Sequence, residues 1–247
     1  MAARKDIEQE LEYSKSYPNG VPYVSIVMAT YNKAEKLDRT LESIRLNHTD
    51  VPYEIIVVDD GSSDDTINVC KKHSCIYIWV NAPVYRGPAV PRNIGCRAAR
   101  GQILIMQSDD VIHSTTDTIN KLIDLPRGTV NIASAWNVDA NLNKKNQRPY
   151  VHGEIHPVPL FFLGSMYKDD FWAIGGNDED FTAPGYEDTF LGELIRRKYF
   201  INWRNDIEGF HQDHKRHRNL GKLAQPSKLL FEHKMKHIDE ILERLGQ

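Results

Sequence analysis

Cysteine is scarce in this chain: Cys70, Cys75 and Cys96 are the only three in 247 residues, and they form neither an even framework nor a C-x-x-C pair. That excludes a disulfide scaffold and a thiolate metal centre, and it predicts reduced thiols in a cytoplasmic protein. No run of about 18 apolar residues occurs, so no transmembrane helix is expected. The stretch Met1 to Lys15 alternates charge and lacks the apolar core of a signal peptide. An excess of one charge is also missing. Thirty-one Lys and Arg against 34 Asp and Glu leave a formal net charge of −3, too even for nonspecific nucleic-acid binding through a basic face. There is no internal repeat and no low-complexity tract, which excludes a solenoid. What remains is a globular composition, 40% hydrophobic and 26% charged, in a chain long enough to bury a sheet on both faces.

Apolar β-rich runs alternate with helix-like segments over the first half of the chain. Tyr23 to Ala29 is followed by Lys36 to Leu46, Tyr53 to Asp59 by Asp65 to Lys72, and Ile76 to Val80 by Ala89 to Arg100. Such alternation predicts βαβ units and a mostly parallel central sheet flanked by helices. A fourth strand, Gln102 to Gln107, ends in Ser108-Asp109-Asp110. Asn32 and Ser63 stand where helix caps are expected. Further on, 114–125 reads as a helix, Thr129 to Asp139 as a strand, Val151 to Phe162 as a loop or edge, and Thr189 to Lys198 as an amphipathic helix. The expected organisation is an N-terminal arm over 1–20, closing in the turn-forming Ser16-Tyr17-Pro18-Asn19-Gly20, and one α/β domain over 21–220. That domain has a nucleotide-binding half (21–112) and an acceptor and catalytic half (113–220). A helical extension follows over 221–247, whose apolar stripe from Leu229 to Leu245 suits packing on the domain or a homodimer contact.

In open parallel sheets, ligands bind beyond the carboxyl ends of the strands. Ala29-Thr30-Tyr31-Asn32 and Asp59-Asp60-Gly61-Ser62-Ser63 fall at two such ends, where a carboxylate can read a base or ribose or simply shape a turn. Asp109-Asp110 are two adjacent carboxylates that repel one another, and an oxygen site for Mg²⁺ or Mn²⁺ is the simplest reason to keep them together. Glu187-Asp188 precede an amphipathic helix, either as dipole partners or as a general base for an incoming hydroxyl. The cluster His211 to Arg218 reads as a basic loop. It lacks the cysteines of a tetrahedral zinc set, but one imidazole can join an octahedral site beside the aspartates.

Taken in order, Val24 to Asn32, Ile56 to Ser62, Pro91-Arg92-Asn93-Ile94-Gly95 with Ala98 to Gly101, Ser108-Asp109-Asp110, Ile174-Gly175-Gly176 and Tyr186-Glu187-Asp188 resemble the family 2 inverting glycosyltransferases of the glycosyltransferase A fold, over about residues 22–214. The resemblance implies transfer of a sugar from a UDP-linked donor to an acceptor hydroxyl, most simply on a glycan, with Mn²⁺ or Mg²⁺ as cofactor. It implies donor binding by Ala29, Thr30, Tyr31, Lys33, Asp60, Arg92 and Asp109. Metal binding falls to Asp109, Asp110 and His211, and His214 or Lys215 would stabilise the leaving diphosphate. Asp188 corresponds to the catalytic base with Glu187 beside it, and Gly164, Trp172, Gly175 and Gly176 to the sugar and acceptor pocket. The chain departs from the family pattern at Gln107, where an aspartate is usual, and at Ala29, where proline is usual. Two other readings share parts of this outline: a sugar nucleotidyltransferase, which ordinarily carries a Gly-rich loop that Ala29 to Lys33 lacks, and a noncatalytic nucleotide-sugar-binding or scaffold domain.

Overall fold

The structure, a computed structural model, describes residues 21–81, 87–151, 157–213 and 220–246; the expected arm over 1–20 and the basic residues His214 to Arg218 lie outside them. Strands β1 (Val24–Thr30), β2 (Tyr53–Asp59), β3 (Ile76–Trp79) and β4 (Ile103–Gln107) are parallel, joined through helices α1 (Ala34–Arg45), α2 (Thr66–Lys72) and α3 (Ala89–Ala98). Each strand of this half reads as a nearly continuous apolar run because helices cover both faces. Successive side chains alternate between two cores. Ile26 and Met28 pack with Leu37, Leu41 and Ile44 of α1 on one face, and Val27, Ile56 and Val58 with Cys96 of α3 on the other. Helix α3 lies so close to the sheet that a Cβ on Gly95 would stand 2.6 Å from Val27 Cγ1. That contact fixes the helix whose first turn carries Arg92.

The sheet continues through β5 (Val111–His113), α4 (Thr118–Ile123), β6 (Thr129–Val138), β7 (Leu163–Tyr167), α5 (Lys168–Trp172), α6 (Glu187–Lys198) and β8 (Phe200–Gln212). One 8-stranded sheet results, in the order β3-β2-β1-β4-β7-β6-β8-β5. Here β7 runs antiparallel to both β4 and β6, whereas β8 is parallel to β6 and antiparallel to β5. Several expectations change. The helix read over 114–125 contracts to Thr118–Ile123, and β5, β7 and α5 lie in segments where no element was expected. His211 and Gln212, read as the start of a loop, are the last residues of β8. Neither Asn32 nor Ser63 caps a helix: Lys33 and Asp65 hold the N-cap positions, without a side-chain cap bond.

The C-terminal segment forms α7 (Leu220–Leu223), α8 (Gln225–Met235) and α9 (Ile238–Leu245). Its stripe is used within the chain: Leu230, Phe231, Met235, Ile241 and Leu242 pack on the core that contains Phe171, Ile174, Phe190 and Leu194. All three cysteines are free and buried, and burial pushes the Cys75 and Cys96 thiols up to about 12. Among the described residues no helix is long and apolar enough to cross a membrane.

Candidate active site

The carboxyl ends of β1, β2 and β4 open into a cleft of about 250 Å³. Its first wall is the loop after β1, with Ala29, Thr30, Tyr31 and Lys33 facing the space. Asn32 takes a left-handed φ of 51° there. Its amide donates to Ser62 Oγ at 2.8 Å and its Oδ1 accepts from the Ser63 amide at 2.8 Å. These bonds lock the β1 and β2 loops together, which is the use of an asparagine at a position read as a cap. The two adjacent acids of the β2 end divide their tasks. Asp59 accepts the Ser62 amide (2.7 Å) and the Tyr77 hydroxyl (2.7 Å) and so builds the turn. Asp60, also buried, lines the cleft.

Asp109 and Asp110 follow β4 and are both buried. The Lys33 ammonium lies between them, 3.0 Å from Asp109 Oδ1 and 2.8 Å from Asp110 Oδ2. Burial alone would favour neutral Lys33, but the two carboxylates outweigh it and hold the ammonium protonated. Asp109 is pushed up by burial despite Lys33. For Asp110 burial is overcome by the hydrogen bond to His211 and the Lys33 charge, and its carboxyl is held low. His211 Nε2 stands 3.5 Å from Asp110 Oδ1, and its Nδ1 is 2.8 Å from Asn137 Oδ1. The Asn137 side chain thus holds the ring by its Nδ1 edge and fixes its orientation towards Asp110. Gln107 does not join the acids. Its Nε2 donates to the Val111 carbonyl (2.8 Å) and its Oε1 meets His113 Nε2 (3.0 Å), while Asn47 Nδ2 meets His113 Nδ1 (2.9 Å). Burial pushes His113 down to about 3, so this is a neutral network. An amide both donates and accepts in it, which a carboxylate cannot do.

The opposite wall is Arg92 with Gly87, Pro88 and Pro91. Arg92 is only 8% exposed, and among the described residues its Nε has no hydrogen-bond partner. A buried guanidinium facing a cleft is a ready anion site. A Cβ on Gly87 would lie 3.5 Å from the Ala183 carbonyl, so the segment leading to α6 borders this rim. Gly185 (φ 88°) and Tyr186 (φ 70°) turn the chain sharply there and set Glu187 and Asp188 in the first turn of the helix. Burial, then the Asp188 charge, push Glu187 up to about 7 against the pull of Arg92. Asp188 is half-buried, and its Oδ1 accepts the Thr189 amide at 2.7 Å.

Neither Glu187 and Asp188 nor four expected acceptor residues are among the residues lining this cleft. Gly164 lies inside β7, where a Cβ would come within 2.7 Å of the Asn131 carbonyl, so its smallness serves strand packing. Gly175 and Gly176 (φ 84° and 71°) terminate α5, their amides donating to the Trp172 and Phe171 carbonyls at 3.0 Å. This is a helix C-cap turn that favours glycine for its backbone. Trp172 packs edge-on against Phe171 and under the Arg97 guanidinium. The sequence reading missed Ser108, Gly87, Pro88 and Pro91 as lining residues and Asn137 behind His211. Ser108 and Pro91 sit inside the motifs that carry the resemblance and were within reach.

Residues 25–182 match the family described as Glycosyl transferase family 2. The chain is 38% identical over 96 residues to the poly(ribitol-phosphate) beta-N-acetylglucosaminyltransferase TarP of Staphylococcus aureus, covering 36% of this chain and 29% of TarP. It spans about half the length of other curated relatives, among them validoxylamine A glucosyltransferase of Streptomyces hygroscopicus (26% identity, 51% of that protein and 70% of this chain). The fold is shared with the mannosyltransferase PcManGT of Pyrobaculum calidifontis, solved with GDP-Man and Mn²⁺, at TM-score 0.61 and 17% identity over 99% of this chain and 76% of that one.

Proposed function

The chain belongs to glycosyl transferase family 2, and from that premise we propose that it moves a sugar from a UDP-linked donor to an acceptor hydroxyl, on a glycan, by one inverting displacement aided by a divalent cation. The observation that carries this reading is the convergence on one cleft of Lys33, Asp60, buried Arg92 and Asp109 from four separate stretches, with Asp110 paired to Lys33 behind them. Asp60, an acceptor beside the β1 loop, suits the ring N–H of uracil, with Thr30 and Tyr31 beside the nucleoside. Arg92 donates to the diphosphate, and its Nε gains the hydrogen-bond partner it lacks among the described residues.

Mn²⁺ or Mg²⁺ suits the donor set. Two carboxylates with an imidazole beside one of them supply oxygen and nitrogen, and such ions ordinarily complete their shell with phosphate and water. Among the described residues no three His, Cys, Asp or Glu side chains form a ready-made metal group, and Lys33 lies between the two acids. The cation's contribution is to neutralise charge on the departing diphosphate. Asp188 accepts the acceptor's proton, and Glu187, raised to about 7, keeps a second full charge from building up beside it. The three free thiols favour a cytoplasmic setting.

Calorimetry of UDP binding with and without Mn²⁺, paired with UDP-sugar turnover, tests the reading. Asp110→Ala is expected to lose about tenfold or more of Mn²⁺-dependent UDP affinity, about 1.4 kcal/mol. Asp188→Asn should bind UDP like the wild type yet turn over about 100-fold more slowly or worse. Equal turnover by Asp188→Asn and wild type removes the general base, and UDP binding indifferent to Mn²⁺ removes the cation.

A further inference from the structure

The oxygens that Lys33 holds are the ones a divalent cation needs. Its ammonium is hydrogen-bonded to Asp109 Oδ1 at 3.0 Å and Asp110 Oδ2 at 2.8 Å, and both acids are nearly inaccessible, at 4% and 1% exposure. Two adjacent buried carboxylates require a counter-charge, and here the chain provides it. A metal bound to the same oxygens at about 2.1 Å would sit within contact distance of the ammonium, and like charges cannot share that space. Lys33 is well placed to leave. Its backbone is anchored at the start of α1, where its carbonyl accepts the Leu37 amide at 2.9 Å, but its side chain is 32% exposed and already borders the cleft. With no donor bound, the ammonium leaving the acids enters a cleft that Arg92, a charge of its own sign, also lines. With a nucleoside diphosphate bound, it meets phosphate oxygens.

We propose that Lys33 is an exchangeable counter-ion, pairing with Asp109 and Asp110 in the unloaded protein and passing to the donor's diphosphate when a divalent cation takes its place. This rests on the donor and cation reading above and adds a consequence to it. Metal and nucleotide assist one another's binding, because each provides what the other's arrival takes from Lys33, and the assistance is reciprocal.

The test is Mn²⁺ titration of the full chain, following loss of the free-ion electron paramagnetic resonance signal, without nucleotide and with saturating UDP after correction for Mn²⁺ held by free UDP. Wild type should bind Mn²⁺ weakly alone and about tenfold or more tighter with UDP, whereas Lys33→Met should bind Mn²⁺ alone about tenfold tighter than wild type and gain less from UDP. If UDP strengthens Mn²⁺ binding in wild type but Lys33→Met binds Mn²⁺ alone no tighter, the exchange is overturned while the sugar-transfer reading stands. If wild type takes no Mn²⁺ even with UDP, the cation reading fails first and the exchange with it. A second readout needs no variant: acetic anhydride labelling of Lys33, followed by mass spectrometry, should rise when saturating Mn²⁺ is added to the wild type. Unchanged labelling overturns the exchange as well.

Discussion

The two halves of the sheet place functional residues by different means. From residue 21 to 112, parallel strands buried on both faces end together, and Thr30, Asp60 and Asp109 reach the cleft because each ends or follows a strand that the core holds in register. From 113 to 213 the sheet is mixed, and β8 is mostly half-buried or exposed. Here Glu187 and Asp188 depend on a turn with two successive left-handed residues, Gly185 and Tyr186. That turn is braced from the C-terminal segment: Phe231 of α8 stacks at 5.4 Å on Tyr186, and Ser227 Oγ donates to the Ala183 carbonyl at 2.7 Å. A left-handed non-glycine residue costs roughly 1–3 kcal/mol and persists only where its surroundings over-determine it. One half therefore positions chemistry with its core, and the other with a strained turn held by the C-terminal helices.

The sharpest way to break this comparison is to remove a charge from each half. Glu54 in β2 is 0% exposed, and it accepts from Ser25 Oγ at 2.6 Å, the Arg100 amide at 2.7 Å and Arg100 Nε at 2.9 Å. Glu54→Ala strands those donors and should cost about 3–5 kcal/mol in urea unfolding. In β8, Asp206 pairs with Arg204 at 2.8 Å but is 51% exposed, so Asp206→Ala should cost no more than about 1 kcal/mol. Comparable losses would mean that the second half is as rigidly built as the first.

A slightly smaller effect concerns Glu187. Its folded value of about 7 lies above the ordinary 4.5, so between those two pH values the folded state binds more protons than the unfolded one. Stability associated with this group is fully present below about pH 4.5, falls as pH rises towards 7, and stays low above it. Glu187→Gln removes the titration. The variant should gain on the order of 3 kcal/mol relative to wild type at pH 8 compared with pH 4, read from urea midpoints at the two pH values. A difference that does not change with pH would mean that Glu187 ionises freely, and the turn would then be less enclosed than its burial indicates.

The same contrast decides what was legible in the sequence. Val24 to Thr30, Tyr53 to Asp59 and Ile103 to Gln107 announce themselves because a parallel strand covered on both faces must be apolar throughout. β7 is short and reads Leu-Gly-Ser-Met-Tyr, and its identity as a strand comes from pairing with β4 and β6, which no local pattern encodes. β8 carries Asn202, Arg204, Asn205, Asp206 and Glu208, so its polarity hid its length and put His211 in an imagined loop. The residues read as donor-binding, Ala29, Thr30, Tyr31, Lys33, Asp60, Arg92 and Asp109, all line one cleft, since motifs at strand ends and on the helix packed against them inherit their place from the sheet. Gly164, Gly175 and Gly176 lie away from this cleft, and glycine at a tight packing site or helix end looks in one dimension like glycine at a ligand site.

The C-terminal stripe offers the smallest effect and a clean separation. Leu230, Phe231, Met235, Ile241 and Leu242 face the chain's own core, whereas Leu229 on α8 is 57% exposed. If the stripe serves only to brace the turn before α6, Leu229→Ser alters a mostly exposed side chain and should change stability by less than about 0.5 kcal/mol. If two chains meet through α8, Leu229 lies in the contact, and the substitution should move the mass seen by sedimentation from dimer towards monomer. Unchanged stability and mass would assign the whole apolar face of the extension to holding Glu187 and Asp188 in place, so that the second half borrows from the C-terminus the rigidity its own sheet lacks.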